Sequence, residues 1–113
     1  MEATLVVNSS SGAGSYLVNV IYDGSNVSLH CDCPAGKLGK FCKHKFGIIS
    51  GEFTILTDKN QLSELDKIQE WVQKTTIFNL LNQFNDAESQ IQKAQINLNQ
   101  IKKKLEKAMK DGT

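Results

Sequence analysis

Residues 31–44 read Cys31-Asp32-Cys33-Pro34-Ala35-Gly36-Lys37-Leu38-Gly39-Lys40-Phe41-Cys42-Lys43-His44. This stretch holds all three cysteines of the 113-residue chain and one of its two histidines. Three thiols and one imidazole complete a ligand set for zinc, which prefers tetrahedral sulfur and nitrogen coordination. A shell filled by Cys31, Cys33, Cys42 and His44 leaves no position for a substrate or an activated water. The pattern therefore points to one structural Zn2+ and to a function carried by the surfaces that the metal holds in place.

The spacing sets the local geometry. Cys31 and Cys33 are two apart, so on an extended strand both side chains leave the same face. They would still lie too far apart for one small ion unless the chain bends at Asp32-Cys33, and Pro34 and Gly36 suit a turn there. Residues two apart on a helix do not face each other, so Cys42 and His44 cannot both sit mid-helix. The workable arrangement puts Cys42 just before a short helix over 43–49, with His44 in its first turn. The eight residues between the pairs, with Gly36 and Gly39 among them, fold back as a loop.

Other uses of these residues fit less well. A disulfide would leave one thiol odd. An iron–sulfur cluster or a copper site uses similar ligands but does not explain a closed Cys3His set as simply. His30 is the spare candidate ligand, and strand alternation turns it away from Cys31 and Cys33.

On these residues the chain resembles the SWIM-type zinc finger, whose pattern is Cys-x-Cys, a variable gap, then Cys-x-His. Pro34 after the second cysteine and Lys43 between the last two ligands fit that pattern. So do the two preceding strands and the following apolar run Gly47-Ile48-Ile49. The similarity covers roughly residues 15–50, under half of the chain. It implies ligand roles for Cys31, Cys33, Cys42 and His44, and an association with DNA or protein binding. No larger catalytic domain accompanies the motif, so the resemblance implies no enzymatic activity.

Composition narrows the reading further. A length of 113 residues holds one domain, or a small domain with a helical extension. The formal charge of +1 is mild, and all thirteen basic residues are lysines. Arginine makes the commonest bidentate contact to guanine, so a chain without it is poorly equipped to read base sequence. No apolar run is long enough to span a membrane, and no basic-then-apolar leader is seen. Reduced cysteines in a metal site fit an intracellular location, cytoplasm or nucleus.

Charge is segmented. Residues 25–51 carry Lys37, Lys40, Lys43 and Lys45 against Asp32. Residues 52–88 carry seven acids against three lysines, and residues 89–113 six lysines against two acids.

The fold class expected is α+β: a small antiparallel β-meander with a zinc-binding loop and short helix (1–56), then a helical region (57–113). Thr4–Val7, Tyr16–Tyr22 and Val27–Cys31 are β-rich runs. The serine- and glycine-rich stretch 8–15 separates the first two, and Asp23-Gly24 signals a hairpin turn between the others. Phe53–Leu56 is a last strand or a packed connector. So small a front half ordinarily needs a staple, which the metal supplies.

Asp58 suits an N-cap, with Gln61 completing a capping box, and Leu62, Leu65, Ile68 and Val72 follow at helical spacing. From Ile77 a heptad appears. Ile77, Phe84, Ile91, Leu98 and Leu105 share one seam position, and Leu80, Ala87, Ala94, Ile101 and Ala108 the other. Two arrangements fit: one long helix over 76–110 that pairs with another chain, giving a homodimer, or a break at Asn85-Asp86 and an antiparallel hairpin. The hairpin is favoured, because it sets Leu98 near Val72, Ile101 near Ile68 and Leu105 near Leu65, and Lys102–Lys104 beside Glu64, Asp66 and Glu70. Trp71, Phe78 and Leu81 are left for packing on the zinc module or a second subunit.

Two functions follow. Lys37, Lys40, Lys43 and Lys45 form a basic patch around the metal, suited to DNA phosphates. Alternatively the chain is an adaptor whose zinc module and helices dock protein partners, with no nucleic acid. A small-molecule substrate and an enzymatic role are not expected: no Ser/His/Asp set, Gly-rich phosphate loop or paired carboxylate is present.

Overall fold

In the computed structural model, residues 1–112 are described. Three strands form one antiparallel sheet in sequence order: β1 (Glu2–Asn8), β2 (Ser15–Tyr22) and β3 (Val27–Cys31). Alternation builds it. Ala3, Leu5, Val7, Val18, Val20, Tyr22, Val27 and Cys31 are buried on one face, while Thr4, Leu17, Ile21, Ser28 and His30 are exposed on the other. The register pairs Val7 with Tyr16 and Val18 with Cys31. The turn after β2 is a four-residue loop: the Asp23 carboxylate accepts from the amides of Ser25 (2.8 Å) and Asn26 (2.7 Å), and Gly24 takes φ +96°.

Next come a single helical turn, α1 (Pro34–Lys37), and the short helix α2 (Lys43–Ile49). Phe53–Ile55 forms a 3-10 turn, and Leu56 then makes one antiparallel bridge to Val7. The run that could have been a last strand is thus a packed connector.

Helix α3 (Leu62–Gln73) closes the core. Its Leu65, Ile68, Trp71 and Val72 are buried in one cluster with the inner face of the sheet, Ile48 and Leu56. The Trp71 ring stacks on Tyr22 with centroids 5.6 Å apart. Residues Met1–Leu81 therefore make one unit, with Asn82–Thr113 a second.

Asp58 caps differently from the sequence expectation. It accepts from the Asn60 amide at 2.9 Å and starts a 3-10 turn, Lys59–Gln61. Gln61 does not complete a capping box. Its Oε1 accepts from the Val6 amide (2.6 Å) and its Nε2 donates to the Val6 carbonyl (3.1 Å), satisfying backbone groups on the open edge of β1.

The expected hairpin broken at Asn85-Asp86 is overturned: α4 runs unbroken from Thr76 to Asp111, thirty-six residues. No Gly or Pro interrupts that span. Asn and Asp in a helix interior cost no more than about 0.7 kcal/mol each, too little to break it. The break falls earlier, at Lys74-Thr75, where the Thr75 hydroxyl donates to the Val72 carbonyl at 2.9 Å and competes with helix continuation. The postulated partners of the hairpin are also taken, since Leu65, Ile68 and Val72 lie in the sheet core while Leu98, Ile101 and Leu105 are exposed. Gly112 ends α4 at φ +75°, its amide donating to the Ala108 carbonyl at 2.8 Å.

Candidate metal centre

The four donors arrive from three elements. Cys31 is the last residue of β3, pointing into the core by the alternation that buries Val27 and exposes His30. The chain then bends. Asp32 donates its amide to the Leu17 carbonyl (3.2 Å), and its carboxylate accepts the Leu17 amide (2.9 Å). This extra pairing holds the strand end while the backbone turns to bring the second sulfur inward.

Cys33 is the N-cap of α1, with Pro34 at the first helical position, where a missing N–H costs nothing. Its Sγ accepts from the Gly36 amide at 3.2 Å. Gly36 lies against Cys31: a Cβ there would meet the Cys31 carbonyl oxygen and stand 2.8 Å from its Cβ. Gly39, at φ +69°, turns the chain back toward Cys42. Cys42 is the extended N-cap of α2, and His44 sits in the first turn, as the two-residue spacing requires.

All four donors are buried, and their ligating atoms lie within 4.8 Å of one another. The Cys33 and Cys42 sulfurs are 3.3 Å apart; His44 Nδ1 lies 3.6 Å from Cys42 Sγ and 3.8 Å from Cys31 Sγ. A tetrahedral ion with metal–sulfur distances of about 2.3 Å and metal–nitrogen distances of about 2.0 Å has sulfur–sulfur edges near 3.8 Å and sulfur–nitrogen edges near 3.6 Å. The observed separations are of that size and too long for a disulfide. The four residues are thus placed to coordinate one metal ion, with Nδ1 as the histidine donor. The other ring nitrogen, Nε2, is buried without a hydrogen-bond partner among the described residues, and the Tyr16 ring packs against the imidazole at 5.2 Å.

The electrostatics of the sulfurs differ. Burial pushes the Cys31 thiol up to about 12. Burial also raises Cys33, but hydrogen bonds from the Gly36 amide, His44 and the neighbouring thiols outweigh it and bring Cys33 down to about 6. Cys33 is therefore held as a thiolate near neutral pH, ready to bind a cation.

The four lysines around the centre are arranged on its loop and helix. Lys37 ends α1, Lys40 lies in the returning loop, and Lys43 and Lys45 are in the first turn of α2. Lys37, Lys40 and Lys43 are exposed and Lys45 is half-buried. Among the described residues the one ion pair is Lys67–Glu64, so none of the four is neutralised by a carboxylate.

Three contributors were not singled out beforehand: Asp32, Gly36 as a contact residue, and Tyr16. The first two sit inside the metal motif, which was the available signal. Tyr16 carried none, because its approach to His44 depends on sheet register.

Compared with known proteins, the chain matches no family model, no curated protein and no solved structure. What the geometry shows is a Cys3His cluster beside a three-stranded sheet, placed to hold one metal ion and compatible with a zinc finger. No helix among the described residues is long and apolar enough to cross a membrane.

Proposed function

We propose that the chain is a SWIM-type binding module, stabilised by one structural Zn2+, that binds DNA through Lys37, Lys40, Lys43 and Lys45. The observation that carries this reading is the unneutralised lysine set around a buried, four-donor centre. Three thiolates and Zn2+ sum to one negative charge, which a single nearby lysine offsets; four leave positive charge to spare. With no arginine in the chain, phosphate contact rather than base reading is the mode these lysines support. Four protein donors fill a tetrahedral shell, which favours a binding role over a catalytic one, and reduced ligand thiols favour an intracellular setting.

A second reading, a protein adaptor without nucleic acid, is favoured by the exposed apolar residues of α4. Titrating the zinc-loaded protein with duplex DNA at low and moderate salt separates the two. DNA binding predicts affinity that falls steeply with salt, and a smaller salt slope when the four lysines are changed to glutamine. No binding at low salt removes DNA from the account and leaves the adaptor, and equal binding by both proteins removes the four lysines from DNA binding.

A further inference from the structure

Helix α4 leaves an apolar stripe open. Along α4 the side chains of Leu80 (61% exposed), Ile91 (67%) and Leu98 (55%) face solvent, as do Ile101 and Leu105. Ile77 differs, being packed on the core of the first unit. A solvent-facing seam of this length marks an interaction surface.

We propose that α4 pairs with α4 of a second copy as an antiparallel two-stranded coiled coil. The stripe is self-complementary only in that direction. In a parallel pair each seam residue meets itself, so Ala87 meets Ala87, Ala94 meets Ala94 and Ala108 meets Ala108, leaving hollow layers between bulky ones. Run antiparallel and centred between Ile91 and Ala94, the same residues form filled layers. Leu80 meets Leu105 of the second copy, Ala87 meets Leu98, and Ile91 meets Ala94. No alanine faces an alanine.

The flanking positions select the same direction. In a parallel pair Lys102 of one helix stands beside Lys104 of the other, on both edges of the seam. In the antiparallel pair the edge bearing Leu81, Glu88, Gln95, Lys102 and Met109 faces its own copy reversed. Glu88 then has Gln95 and Lys102 of the second copy as neighbours, giving two opposite-charge pairs per dimer, and Leu81 meets Met109. The lysine-rich end of each helix lies beside the Asp86–Glu88 region of the other. An interface repeated by a two-fold axis must be self-complementary in this way. The two helix N-termini, Thr76 in each copy, are then about 50 Å apart at opposite ends of the rod.

Sedimentation equilibrium on the full-length protein at low salt tests the proposal without DNA and without reference to the metal. The wild type is expected to be a dimer, and Ile91→Asp a monomer with its sheet intact by circular dichroism. Glu88→Lys and Lys102→Glu are each expected to weaken the dimer roughly tenfold, because two pairs turn from attraction to repulsion. An equimolar mixture of the two variants restores it, since each lysine then faces a glutamate across the seam. A monomeric wild type, a trimer or tetramer, a dimer that Lys102→Glu leaves unchanged or tightens, or a mixture no tighter than the separate variants overturns the proposal.

Discussion

Asp32 and Leu17 are joined twice, carboxylate to amide at 2.9 Å and amide to carbonyl at 3.2 Å, across the end of the β2–β3 ladder. The residue between two ligand cysteines thereby does what a strand partner would do, one step beyond the last regular pair, Val18 with Cys31. It fixes where the strand stops and the bend begins. Asp32→Ala is expected to cost about 1 kcal/mol in denaturant unfolding and to speed metal loss. Asp32→Asn keeps an acceptor and should lose less. Equal metal-release rates in wild type and Asp32→Ala would remove the carboxylate from this role.

Gly36 gives a sharper test. A methyl group there runs into the carbonyl and Cβ of Cys31, which are backbone-anchored and cannot swing aside. Gly36→Ala should destabilise by about 1–3 kcal/mol and move Cys33 away from Cys31, lowering metal affinity. Gly39→Asn is the informative comparison, because that position needs φ +69° but has open space around it, and Asn tolerates the left-handed region. An undisturbed Gly36→Ala protein would show that the Cys31–Gly36 contact does not set the site.

The metal ligands were legible because the information is local. Two-residue spacings restrict how each pair can lie on a strand or at a helix start, and α2 begins where that restriction requires, with Cys42 as its cap. What α3 covers was not legible. The spacing of Leu65, Ile68 and Val72 says that one face is apolar and is silent on its partner, which is the sheet rather than the residues after 85. Gln61 misled for a related reason: its sequence position fits a capping box, but the outer edge of β1 at Val6, where the Thr57 amide also donates to the carbonyl, offers its side-chain amide two hydrogen bonds instead of one.

The two shifted thiols fix the direction of the pH dependence. A metal must displace the proton on Cys31, whose thiol titrates near 12, whereas Cys33, near 6, is already ionised at neutral pH. Between pH 7 and 9 the logarithm of the apparent zinc affinity should therefore rise by at least about one per pH unit. Below pH 6 Cys33 also takes up a proton and the slope steepens by about one more. The metal-derived stability is thus present at high pH and lost as pH falls. Competition titrations with a chromophoric chelator across pH 5.5–9 measure this, and a flat profile would show that binding displaces no thiol proton in that range.

Removing the metal should act locally before it acts globally. From Asp32 to Phe41 the only buried side chain is Cys33, so burial does little to hold that loop. The sheet and α3 share a core that includes Leu5, Val20, Ile68 and Trp71, and the three donor cysteines are a minor part of that cluster. Hydrogen exchange after chelation should show residues 33–46 losing protection first, with β1 and β2 following only at higher temperature. Cys42→Ser should reproduce this and lower stability on the order of 4 kcal/mol, in the range of a lost structural metal. His30→Ala, on the exposed face of β3, should keep one zinc per chain and melt like the wild type. Full zinc content in Cys42→Ser, or its loss in His30→Ala, would assign the fourth donor to the wrong residue. Unchanged protection over 33–46 after chelation would show that the loop is held by packing instead.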